Sequence, residues 1–121
     1  MNIHKKAIKP STDGNQSRIV RDLRRMGAQV HLDHDDIIVD YKKTLWWIEV
    51  KNESPFYKSD PGKLKKNTLR PNQKKLLSLD TSNYAVCWTT KGAIDFMNGK
   101  DGDYLTPAKY RGLVLMKRWG R

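Results

Sequence analysis

The chain has a single cysteine, two phenylalanines and five prolines among 121 residues, and only 13 acidic side chains against 24 basic ones. One cysteine excludes an internal disulfide, and the place of Cys87 in the apolar run Tyr84-Ala85-Val86-Cys87-Trp88 marks it as a buried, inert thiol. No Cys/His spacing of the structural zinc type occurs. No stretch of about 18 apolar residues is present, the amino-terminal residues lack the apolar core of a signal peptide, and no segment reads as a basic membrane-surface helix. A soluble, intracellular protein without a membrane partner is the expectation. The shortage of acid leaves a formal net charge of +11 and a pI near 9.9, which calls for a polyanionic partner, with nucleic acid first. Four tryptophans and five tyrosines give bulk to a chain that is 37% hydrophobic, so disorder throughout is excluded and one domain with a modest core is expected.

The stretch from Asp35 to Lys51 organises the rest. Two β-branched and aromatic runs, Ile37-Ile38-Val39 and Leu45-Trp46-Trp47-Ile48, flank a polar turn at Lys42 and Lys43, which predicts a β-hairpin. A turn symmetric about the two lysines sets Asp40 opposite Leu45, Ile38 opposite Trp47 and Asp36 opposite Glu49. Alternation then puts Glu49 and Lys51 on the face of Leu45 and Trp47, with Trp46, Ile48 and Val50 on the other. Two carboxylates directly opposed on adjacent strands, with Cβ atoms roughly 5 Å apart, repel and destabilise the hairpin. A divalent cation removes that penalty, and oxygen ligands of this kind suit Mg²⁺ or Mn²⁺. Beside such an ion, Lys51 has two uses: orienting a water or offsetting charge on a phosphate.

Asp36, followed on the next strand by Glu49-Val50-Lys51, resembles the signature of the PD-(D/E)XK nucleases, with Asp35 where that family often has proline. The resemblance covers about Asn15 to Met97. It implies an α/β fold with a restriction-endonuclease-like core: a central mixed sheet of about four strands flanked by helices. It also implies a Mg²⁺ (or Mn²⁺) ion held by Asp36, Glu49 and the Val50 carbonyl, and a catalytic Lys51. The first helix and the helix after the hairpin are closest to those of Holliday-junction resolvases and VRR-NUC proteins, which implies a homodimer acting on branched DNA.

In chain order, residues 1–14, with His4, Lys5, Lys6, Lys9, Pro10 and Gly14, read as a flexible basic arm, and residues 15–121 as the single domain. Asn15 to Met26 has helical periodicity and stops at Gly27. Ile19, Val20, Leu23 and Met26 fall on one face, and Arg18, Arg21, Arg24 and Arg25 on the other. Gln16 falls within the apolar stripe, where the resemblance implies an acidic or amide side chain beside the active site; this sequence has the amide. Ala28 to Leu32 alternates as a first strand, with Asp33 and His34 as its connection. His31 and His34 read as exposed histidines, not zinc ligands.

Asn52 to Arg70 is polar, broken by Pro55 and Asp60-Pro61-Gly62, and basic through Lys58, Lys63, Lys65, Lys66 and Arg70. A loop of that length leaving directly from Lys51 is expected to be a nucleic-acid-gripping flap. Phe56 and Tyr57 either stack on an unpaired base or pin the loop to the domain. Leu69 to Leu79 predicts a helix with Pro71 in its first turn, and the resemblance gives Gln73 a role near the cluster, on a phosphate or metal-bound water; the alternative is a solvent-facing residue. A fourth strand from Tyr84 to Trp88, a short helix from Ala93 to Met97, a turn-rich loop and a final helix from Thr106 onward complete the chain. The reading is a metal-dependent DNA endonuclease, with catalytic residues Asp36, Glu49, Lys51, Gln16 and Gln73. Its rivals are a non-catalytic basic nucleic-acid-binding protein and an RNA-directed nuclease.

Overall fold

The computed structural model describes residues 10–33, 36–79 and 83–119. Its elements are α1 (Pro10–Arg25), β1 (Gln29–Asp33), β2 (Asp36–Tyr41), β3 (Thr44–Val50), α2 (Pro71–Leu77), β4 (Tyr84–Cys87), α3 (Thr90–Met97), β5 (Tyr104–Leu105) and α4 (Pro107–Trp119). The strands form one sheet in sequence order, with β3 and β4 parallel and every other neighbouring pair antiparallel. The mixed α/β class is as expected, with five strands in place of about four. The additional strand, β5, is two residues long and offers no alternation for periodicity to detect.

Helix α1 opens at Pro10, so residues 10–14 belong to a helix and not to the expected basic arm. Proline is well placed at a first helical position, because its missing N–H would have no intrahelical acceptor there. The rest of that arm, residues 1–9, lies outside the described residues, as do His34 and Asp35. After α1 the chain turns at Gly27, whose φ of +100° is readily adopted only by glycine.

The hairpin has the register that its symmetry predicts: Asp36 opposite Glu49, Ile38 opposite Trp47, Asp40 opposite Leu45. Lys42 and Lys43 both have positive φ, 52° and 61°, which makes the connection from Tyr41 to Thr44 a two-residue type I′ turn. That turn matches the twist of the strands, although neither residue is one that favours the left-handed region.

Alternation along the strands divides the core in two. On one face Ile37, Val39 and Ile48, with Ala85 and Cys87 of β4, pack against Ile19, Val20 and Leu23 of α1 and Ala93, Phe96 and Met97 of α3. On the other, Tyr84 and Val86 of β4 and Leu105 of β5 pack with Leu77 of α2 and Leu69, and Trp47, Phe56, Trp88, Tyr110 and Leu113 join them. Helices therefore cover both faces. Cys87 is fully buried and burial pushes its thiol pKa up, in keeping with an inert thiol.

Candidate active site on the sheet

Register pairs share a face, so Asp36 and Glu49 lie side by side on the face of Trp47, Tyr84 and Val86. Glu49 is only 5% exposed, whereas Asp36 is half-buried. The Trp47 indole Nε1 donates to Asp36 Oδ2 at 2.7 Å, which fixes one carboxylate oxygen and leaves the other oxygen of the group as a further acceptor. The backbone register extends the rung by one more residue, since Asp33 of β1 stands opposite Asp36. The sequence alone places Asp33 in the connection after the first strand; it is the last residue of that strand, and Asp33, Asp36 and Glu49 occupy one rung across three strands.

Lys51 follows directly on β3. Its backbone N–H donates to the Cys87 carbonyl at 2.9 Å, continuing the parallel ladder one residue past Val50, so the alternation assigns Lys51 to the face of Glu49. Its own carbonyl accepts from Asn15 Nδ2 at 2.8 Å, and the same amide nitrogen donates to the Trp88 carbonyl at 2.6 Å. The Asn15 backbone N–H reaches Asn52 Oδ1 at 3.3 Å, and Arg18 donates to Asn15 Oδ1 at 3.1 Å. One buried asparagine thus ties α1 to the backbone just past the ends of β3 and β4.

The resemblance implies Gln16 beside the site, whereas it is the neighbouring Asn15 that bonds the Lys51 backbone. The buried centre of α1 runs through Ile19 and Leu23, and stepping back four residues from Ile19 reaches Asn15. Gln16 goes with Val20 at the margin of the stripe and, half-buried, lines an open groove with Val20, Arg21, Arg24, Arg25 and Leu32. The i, i+4 spacing of Asn15, Ile19 and Leu23 is the signal that could have found it.

Gln73 is buried, at 3% exposure, which overturns the solvent-facing alternative. Its Oε1 accepts from the Arg70 backbone N–H at 2.9 Å, so it caps the first turn of α2.

The expected flap, residues 52–70, has a ladder of its own. Phe56 bridges Leu64, Tyr57 N–H donates to the Lys63 carbonyl at 3.0 Å, and Lys65 N–H donates to the Pro55 carbonyl at 2.7 Å. The Phe56 ring meets Trp88 edge-on with centroids 6.1 Å apart, and Leu64 packs in the same cluster as Trp47 and Tyr84. Phe56 therefore pins the loop to the domain, on the site's face of the sheet. Lys58, Lys63, Lys66 and Arg70 are exposed, while Lys65 is half-buried and 3.9 Å from Glu53. Lys63 Nζ stands 5.7 Å from the centre of the Tyr57 ring.

Hard oxygen donors on one rung fit a small divalent cation that keeps several of its waters. Asp36 and Glu49, with the Val50 carbonyl at the strand end, are the groups that would hold such an ion. No group of three or more His, Cys, Asp or Glu side chains suited to a metal is found among the described residues. Nor is any helix among them long and apolar enough to cross a membrane. In comparisons with known proteins no family model, no curated protein and no solved structure matches this chain.

Proposed function

We propose that this protein is a metal-dependent nuclease that hydrolyses phosphodiester bonds in DNA, with Asp36, Glu49 and Lys51 at its centre. The observation that carries the reading is the register: two acidic residues directly opposed on β2 and β3, one of them buried, with a lysine two residues farther along the same face. Two carboxylates in that position cost stability unless something offsets their repulsion. A bound Mg²⁺ or Mn²⁺ would supply that charge and make a coordinated water more acidic. Lys51 offsets negative charge on the phosphate as the transition state forms, or orients the water. Asn15 holds the backbone of Lys51 in place. Gln16 and Gln73 remain second-tier candidates for contacts with the phosphate. The net charge of +11 and the exposed bases Lys58, Lys63, Lys66 and Arg70 on the site's face supply affinity for the nucleic-acid backbone, with Lys65 beside them.

A small domain of this kind reads shape through phosphate contacts rather than sequence through base edges. The likeness of its motif to those of the resolvases extends the proposal to branched DNA such as Holliday junctions, cut by a homodimer.

A second reading has an observation in its favour. Asp36 already accepts from Trp47, and no group of three metal-ligating side chains is found among the described residues. In that reading the protein binds nucleic acid and cleaves nothing. Incubation with linear, flapped and four-way DNA, and with matching RNA, in Mg²⁺ and in Mn²⁺ separates the readings. Metal-dependent cleavage of DNA is the expected result. Metal-independent binding without cleavage supports the second reading, and cleavage confined to RNA moves the substrate.

A further inference from the structure

Tyr84 opens β4 opposite Trp47, and Val86, two residues on, stands opposite Glu49. Tyr84 and Glu49 are therefore diagonal neighbours on one face, a spacing that long and aromatic side chains span. Tyr84 is 1% exposed, and its hydroxyl has no hydrogen-bond partner among the described residues. The ring is accounted for by packing: it meets the Trp47 indole edge-on with centroids 5.2 Å apart and belongs to the cluster of Leu69, Leu77 and Leu105. Phenylalanine would serve every one of those contacts. The oxygen is what needs explaining, because a buried phenol normally finds a partner.

The charges that act on this hydroxyl narrow the choice. Burial pushes its pKa up first, and Glu49 and then Asp36 push it further in the same direction. By register the phenol, a donor, shares a face with two acceptor carboxylates. Carboxylates that hold a metal ion are themselves commonly fixed by a hydrogen bond from behind.

We propose that Tyr84 is a positioning residue of the carboxylate site, donating its hydroxyl hydrogen to the Glu49 carboxylate when a divalent cation is held between Glu49 and Asp36. The proposal rests on the reading of that pair as a cation site. With a cation held there, one Glu49 oxygen would face the ion and the Tyr84 hydroxyl would fix the other.

The test is calorimetric titration of the full chain with Mn²⁺ alone, for the wild type, Glu49→Gln and Tyr84→Phe, together with melting curves recorded without metal. The expected result is Mn²⁺ binding by the wild type, its loss in Glu49→Gln, and about a tenfold weaker affinity in Tyr84→Phe. The metal-free melting temperature of Tyr84→Phe should equal or exceed that of the wild type, since the change removes an unpaired buried hydroxyl. Equal Mn²⁺ affinity in Tyr84→Phe and wild type would overturn the role of Tyr84 and leave the carboxylate site standing. A lower metal-free melting temperature would overturn it too, by showing that the hydroxyl already has a partner in the folded chain. If the wild type binds no Mn²⁺, or Glu49→Gln binds it equally well, the cation site fails and Tyr84's role fails with it.

Discussion

The two faces of the central sheet are built from the same strands and to opposite ends. Ile37, Val39, Ile48, Ala85 and Cys87 face α1 and α3 and bring only apolar groups to the interior. One residue along each strand, the other face carries Asp36, Glu49 and the phenol of Tyr84, whose hydroxyl is unpartnered among the described residues. A sheet packed for stability alone would not oppose two acidic residues and bury one of them. The contrast teaches that one face is packed with apolar groups alone, while the other sets two opposed carboxylates and a buried phenol beside an apolar cluster of its own.

Substitutions on the two faces should therefore move different quantities. The largest stability effect is expected on the apolar face, where Ile48→Ala removes a fully buried side chain and should cost about 2 to 5 kcal/mol, measured by urea unfolding. On the polar face, neutralising Lys63, Lys65 and Lys66 should leave the melting temperature nearly unchanged. DNA affinity should fall, and the salt dependence should flatten by about one unit of slope for each phosphate that is no longer neutralised. Titration at several salt concentrations checks this, and an unchanged slope would turn the 52–70 loop away from the substrate.

Glu49→Gln should escape the usual cost of a buried substitution. It removes one of two opposed charges and should leave metal-free stability nearly unchanged while abolishing cleavage. A large loss of stability in urea would mean that Glu49 is a structural charge.

The smallest effect belongs to the clasp between the helices of the apolar face. Thr90 Oγ1 donates to Asp22 Oδ2 at 2.7 Å, and this bond holds the Asp22 pKa below its ordinary value; burial opposes the shift, while Arg21 and Arg25 add to it. Because the folded pKa is depressed, the stabilisation is present above the unfolded value near 3.9 and lost as pH falls through the folded one. Melting curves of Thr90→Val and wild type should differ at pH 7 and converge as the pH falls below the ordinary carboxylate value near 3.9.

Much of this is legible in the sequence because strand alternation is strict. Two lysines between apolar runs locate the turn, and once the turn is located every cross-strand pair follows, including Asp36 with Glu49. What stays hidden depends on contacts remote in sequence or on elements too short to show a period. Asn15 is chosen over Gln16 by where the α1 axis lies on the sheet, a matter of tertiary packing. Gln73 is buried and caps Arg70 with its side-chain carbonyl, and Tyr84 stands diagonal to Glu49 only because β4 pairs in parallel with β3. The loop after Lys51 reads as polar and broken, yet the bridge from Phe56 to Leu64 gives it a fold of its own.

The central claim is that the rung of Asp36 and Glu49, with Lys51 beyond it, performs chemistry. Single-turnover cleavage of DNA in Mn²⁺, at protein concentrations that saturate the substrate, tests this for wild type and Lys51→Ala, because saturation removes affinity from the comparison. The account predicts that Lys51→Ala binds DNA nearly as the wild type does and cleaves it on the order of a hundredfold more slowly. Cleavage by Lys51→Ala at the wild-type rate would contradict it.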